Sequence, residues 1–130
     1  MARLAPFICA LVLLAGCGGG DDKEEAQQTI RDFVEAINTR DADVYCDDLI
    51  TEEFREKSTF ATGDEARNSC KRQLSAIEGL RLELVRFGRT TVDGDEATVN
   101  VVLRRSGQRI TQRVKLEKDG GDWKISGGAG

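Results

Sequence analysis

Residues 80–103 read LRLELVRFGRTTVDGDEATVNVVL, and this stretch changes the hydrophobic period of the chain. Leu80, Leu82 and Leu84 alternate with Arg81 and Glu83, the period of two that belongs to strands. Val85 and Phe87 then take the opposite parity. A phase slip of that kind inside one strand predicts a β-bulge and a bend. Asp93-Gly94 is a hairpin turn signal. Beyond it Ala97, Val99, Val101 and Leu103 face one way, with Thr98, Asn100 and Arg104 opposite. Ser106-Gly107 turns the chain into a third strand, with Ile110, Val114 and Leu116 inside and Thr111, Arg113 and Lys115 outside. Asp119-Gly120-Gly121 leads into the last strand, Trp123-Lys124-Ile125.

Upstream the period is helical. Ala26, Ile30, Phe33, Val34 and Ile37 form one apolar stripe, predicting a helix from about Lys23 to Thr39 with Asp22 as cap and Glu25 completing a capping box. Asp41 restarts a helix in which Ala42, Tyr45, Cys46, Leu49 and Ile50 share a side, and Thr51 caps a short continuation carrying Phe54. After a loop near Phe60 to Gly63, Asp64 is expected to cap a third helix with Ala66, Cys70, Leu74 and Ile77 on its apolar side, ended by Gly79. Three helices followed by four antiparallel strands predict an α+β domain, with the helices on one face of a curved sheet.

The composition narrows the chemistry. A chain of 130 residues supports one domain. The absence of His removes the Ser-His-Asp and Cys-His triads, the usual zinc sites and any imidazole base. A net charge of −4 argues against a nucleic-acid partner. Nothing in the pattern implies a cofactor or a metal. The acidic patch Asp43, Asp47, Asp48, Glu52 and Glu53 lacks the spaced ligand loop and central Gly of a calcium site, and reads as a solvated helix face.

The first 16 residues are expected to lie outside the fold. Arg3 supplies a positive start, and the apolar run Leu4 to Ala15 is too short for the ~20 residues of a membrane-spanning helix but suits a signal peptide. It ends in Leu14-Ala15-Gly16-Cys17, which resembles the lipobox of bacterial lipoproteins. The resemblance implies lipidation of the Cys17 sulfur, cleavage before it, and a lipid-anchored domain on the extracytoplasmic face of the cell membrane. Residues 17–23 then form a lipidated cysteine and flexible tether. With Cys9 lost and Cys17 modified, two of the four cysteines remain, Cys46 and Cys70. An even pair in an oxidising compartment reads as a disulfide, the alternative being two buried free thiols.

The segments Phe33-Val34-Glu35-Ala36-Ile37-Asn38-Thr39-Arg40-Asp41, Gly94-Asp95-Glu96-Ala97-Thr98-Val99 and Asp122-Trp123-Lys124-Ile125, with Cys46 ahead of Leu49, resemble those of NTF2-like (SnoaL-like) domains, above all small bacterial lipoproteins. The resemblance covers residues 24–126, leaving 127–130 as a disordered tail. It implies a cone in which a bent sheet wraps a long helix and leaves a pocket at the wide end, with Phe33, Tyr45, Phe54 and Trp123 as candidate lining.

Three functions follow from that expectation. The first is a non-catalytic, membrane-tethered binding or protein-interaction module. The second is a carrier or sensor of a small apolar ligand held in the cone; an open cavity of about 300 Å³ or more would favour it, a filled cone the first. The third is a lyase or isomerase using Tyr45 with a carboxylate, Asp47 or Asp48 being nearest. Neighbours on a helix point about 100° apart, so at most one of these joins Tyr45 in a cavity. The inward strand positions are otherwise apolar, and Gln112 among them is no acid or base, so no catalytic residue is assigned. Residues 80–118 carry nine bases and five acids, against eight bases and 16 acids in residues 21–79. Those outward charges make sheet-to-sheet pairing unfavourable, and a monomer is expected.

Overall fold

The switch of period at residue 80 separates two layers. The computed structural model describes residues 19–129; the expected signal peptide 1–16, the lipidation site Cys17 and Gly18 lie outside the described residues. Helix α1 (Gly19–Thr39) is followed by a π-helix (Val44–Leu49), α2 (Glu52–Thr59) and α3 (Gly63–Ala76). Strands β1 (Leu82–Asp93), β2 (Glu96–Arg105), β3 (Gln108–Asp119) and β4 (Asp122–Ala129) form one antiparallel meander in the order β1-β2-β3-β4. The fold class is the expected α+β arrangement of helices on a curved four-stranded sheet.

The curvature comes from β1. Its pairing with β2 slips between Leu84 and Arg86 and again between Phe87 and Thr90, so the predicted phase change is realised as two irregularities. Gly88 sits in the second. A Cβ there would lie 3.2 Å from the Asn100 Cβ, so the missing side chain lets β1 approach β2 closely at the bend. The concave face presents Leu82, Ala97, Val99, Val101, Leu103, Leu116 and Ile125, all buried. The stripe of α1 (Ala26, Ile30, Val34 and Ile37) packs into the same core, each larger side chain contributing roughly 1.5–3 kcal/mol.

Polar clips fix the frame. The Asn38 side chain donates to the Leu82 carbonyl and accepts from the Leu82 amide, both at 2.8 Å, so it serves β1 as a partner strand would. Arg40, in the left-handed region, ends α1, and its guanidinium donates to the carbonyls of Ile37, Ile77 and Leu80. Ile50 leaves the helical segment to form a parallel bridge with Ile125, and the Thr51 amide donates to the Ile125 carbonyl at 2.9 Å. Cys46 and Cys70 are joined in a disulfide between the π-helix and α3, with Cα atoms 6.0 Å apart. In the chain-entropy account, closing that loop stabilises the fold by about 3.5 kcal/mol. Lys71 supports the same junction from α3, reaching Asp43 at 3.0 Å and Asp47 at 3.3 Å.

Several boundaries differ from the sequence reading. Helix α1 begins at Gly19, so Asp21 and Asp22 belong to its first turn rather than to a tether. Asp22 is no cap: Lys118 draws its carboxylate to 3.1 Å, tying α1 to β3. Helix α3 starts ahead of Asp64, with Thr62 at the cap position and the Gly63 amide donating to Glu56. It ends at Ala76, before Gly79, where Ile77 turns extended with its amide donating to the Leu74 carbonyl, and Arg40 takes the Ile77 carbonyl at 3.0 Å. Thr51 does cap α2, accepting from the Phe54 amide at 3.1 Å. Residues 127–129, expected as a disordered tail, continue β4, where Gly127, Gly128 and Ala129 pair with Lys115, Val114 and Arg113.

Candidate functional site

The cone is filled at one end and hollow at the other. Ala26, Ala97, Leu116 and Trp123 belong to the core without lining the cavity. Ile30 of α1, Leu82 of β1, Val101 and Leu103 of β2 and Ile125 of β4 form the floor of a pocket of about 240 Å³. Phe33, Tyr45, Phe54, Leu80, Ile110, Gln112 and Val114 make its half-buried walls, and exposed Arg105 and Gly128 stand at its mouth. The volume falls below the roughly 300 Å³ of drug-sized sites, but above the ~150 Å³ apolar cavity that admits benzene.

Tyr45 enters this space because of the π-helix. Widening of the turn over Val44–Leu49 puts Cys46 and Leu49 in the core and Tyr45 on the pocket wall, its ring 5.4 Å from that of Phe33. Arg55, buried on α2, donates to the Cys46 carbonyl at 2.8 Å and holds that segment from behind. Burial raises the Tyr45 pKa above the ordinary phenol value of 10.0, so the hydroxyl is protonated at neutral pH and can donate a hydrogen bond.

The carboxylates proposed as its partners point elsewhere. Asp47 faces α3, where Arg67 Nε lies 3.1 Å from its Oδ1 and Lys71 also reaches it. Asp48 lines a separate acidic cleft with Glu25, Asp32 and Asp122. Among the described residues no carboxylate lines the cone pocket. The polar side chains among its lining residues are Tyr45, Gln112 and Arg105, beside the backbone of Gly127 and Gly128.

Of the four candidate lining residues, Phe33, Tyr45 and Phe54 are brought together and Trp123 is not. Trp123 is buried at the closed end, where Thr29 donates to its carbonyl at 3.0 Å and the Lys118 ammonium stands 5.5 Å from its ring centre. Its place in the last strand was legible, but not which end of the cone that strand position occupies. Arg105 was missed. Its signal is parity, since it continues the inward row Val99, Val101, Leu103. The acidic patch does not survive as a unit, because Lys71 and Arg67 take Asp43 and Asp47 while Glu53 pairs with Lys57. Among the described residues no cluster of Cys, Asp or Glu is arranged to hold a metal ion.

No family model and no curated protein matches the chain. Solved structures do. A protein of unknown function with a cystatin-like fold from Nostoc punctiforme is 19% identical at a TM-score of 0.60, over 82% of this chain and 86% of its own. An NTF2-like protein of unknown function from Pseudomonas putida is 16% identical at a TM-score of 0.55, over 83% and 84%. Another from Silicibacter pomeroyi is 13% identical at a TM-score of 0.54, over 83% and 92%. At these identities the likeness speaks to architecture.

Tyr45 is the only tyrosine in the chain, so its ionisation can be followed directly by ultraviolet absorbance. The folded protein is expected to titrate above the midpoint of the urea-unfolded chain. The unfolded state releases its proton first, so this group's contribution to stability declines as pH rises from the unfolded value through the folded one. Coincident midpoints would show a solvated phenol. Taken together, the bent meander, the α1 stripe laid along it and the pocket at its open end make this an NTF2-like fold.

Proposed function

We propose that this chain is an exported, lipid-anchored binding protein that holds a small apolar molecule in its cone without transforming it. The observation that carries the reading is the pocket itself: a floor of five buried aliphatic side chains beneath an open mouth. A site of that kind loses little on desolvation and gains roughly 25 cal/mol for each Å² of ligand surface it covers. At about 240 Å³ the cavity is smaller than the roughly 300 Å³ that would favour a carrier, but it is not filled. Of the two non-catalytic readings, its open apolar floor supports a carrier of a ligand below drug size over an interaction module whose cone is filled.

The lyase or isomerase reading needs a general base within hydrogen-bond reach of the reacting proton. Both carboxylates near Tyr45 in sequence are directed away, which supports binding without proton transfer. The extracytoplasmic address rests on the resemblance of Leu14-Ala15-Gly16-Cys17 to a lipobox. The Cys46–Cys70 bond supports it, since structural disulfides belong to oxidising compartments. Two acyl chains would hold such a domain stably at a bilayer surface, where it acts as a monomer.

Two experiments test the halves of this proposal. Titration of the isotope-labelled domain with 3-phenylpropan-1-ol, followed by NMR, is expected to shift the signals of Ile30, Val101, Leu103 and Ile125 saturably. The dissociation constant should be about 1 mM or tighter. Val101→Phe, which fills the floor, should weaken binding at least about tenfold; absent saturation, or equal binding by the variant, would refute the carrier. For the address, mass spectrometry of the membrane fraction should find a mature chain beginning at lipid-modified Cys17, and Cys17→Ala should release the domain. A chain recovered with residues 1–16 intact and no added lipid would contradict it.

A further inference from the structure

The cone has a charge at its rim that the fold does not require. Along the inner row of β2 the side chains are Ala97, Val99, Val101 and Leu103, all buried, and the next inward position is Arg105. It lies opposite Leu82 on β1 and Gln108 on β3, at the mouth of the pocket. Among the described residues no carboxylate lies within ion-pair distance of it. Its neighbour Arg104, on the outer face, is by contrast held by Glu83 at 3.0 Å. A guanidinium is the side chain best shaped to take a carboxylate through two parallel hydrogen bonds.

The remaining polar side chains of the pocket are compatible with an anionic head. The Tyr45 hydroxyl and the Gln112 amide can each donate as well as accept, and among the described residues no carboxylate lines the wall to repel an anion. A molecule that fits would set its apolar body on Ile30, Val101 and Ile125 and leave its head at the mouth. At about 240 Å³ the space admits a single aromatic ring with a short chain, or an aliphatic chain of similar bulk.

We propose that the pocket selects small amphipathic carboxylates, binding the apolar body in the cone and the anionic head at Arg105. This rests on the ligand-binding reading above and adds the chemical class of the ligand. Arg105 is exposed, so water and salt screen it, and the pair contributes a modest preference rather than the bulk of the affinity.

The test compares 3-phenylpropanoate with 3-phenylpropan-1-ol, which share a body and differ in the head. The wild-type domain should bind the carboxylate about fivefold more tightly at low ionic strength, with the difference shrinking as salt is raised. Arg105→Gln should abolish that preference while leaving the alcohol within about twofold of its wild-type affinity. Arg105→Lys should retain part of it, which a general loss of folding would not produce. Equal binding of the two compounds by the wild-type domain, or a preference that survives in Arg105→Gln, overturns the carboxylate proposal and leaves the carrier reading standing. Failure of both compounds to bind the wild-type domain removes the carrier reading, and this proposal with it.

Discussion

The structure depends on covering the inner row of β2 from two sides. Val99 and Val101 are fully buried, and that burial requires α1 to lie in the trough of a sheet bent around it. The bend is set on β1, by two slips of register and by a glycine where the strands close up. Small residues, Ala26 and Ala97, belong to the filled end of the core, while the cavity opens among Phe33, Tyr45, Leu103 and Ile110. The pocket lies between that bent sheet and α1, where the side chains of Ile30, Val101, Leu103 and Ile125 leave the space unfilled.

The junction of the π-helix with α3 matters for the same reason. Tyr45 lies beside Cys46, whose disulfide to Cys70 anchors the segment, and Arg55 binds the Cys46 carbonyl from the other side. These attachments hold the wall of the cavity open at a place where the α-helical hydrogen-bond pattern is interrupted. Asp43 and Asp47 serve that junction through Lys71, and both carboxylates raise the pKa of its ammonium. Acidic residues that a sequence pattern could assign to chemistry are thereby committed to holding the frame.

Much of this was legible in the sequence. The period change at residue 80, the phase slip between Leu84 and Val85 and the turn residues gave the meander and its bend, because strand parity is a local property that survives folding. The Cys46–Cys70 bond was the expected reading once Cys9 and Cys17 were set aside as signal and lipid site, with two free thiols as the alternative. Helix ends were less legible, since long-range bonds override local caps: Lys118 takes Asp22, and Arg40 takes the carbonyl after α3. Trp123 was misplaced because a meander places residues on a face without saying how far along the cone they lie. Arg105 was overlooked although its parity marks it as inward, since a charged residue beside a turn reads as solvent-facing.

The central claim is that the open end of the cone is a preformed, apolar, ligand-sized space. A crystal structure of the domain under xenon pressure tests this without any assumption about the natural ligand, because an apolar space that excludes ordered water takes up the gas. The account predicts xenon density between Ile30, Val101 and Ile125, with the surrounding side chains unmoved. A space closed by its own side chains, or occupied by ordered water with no xenon, would contradict it.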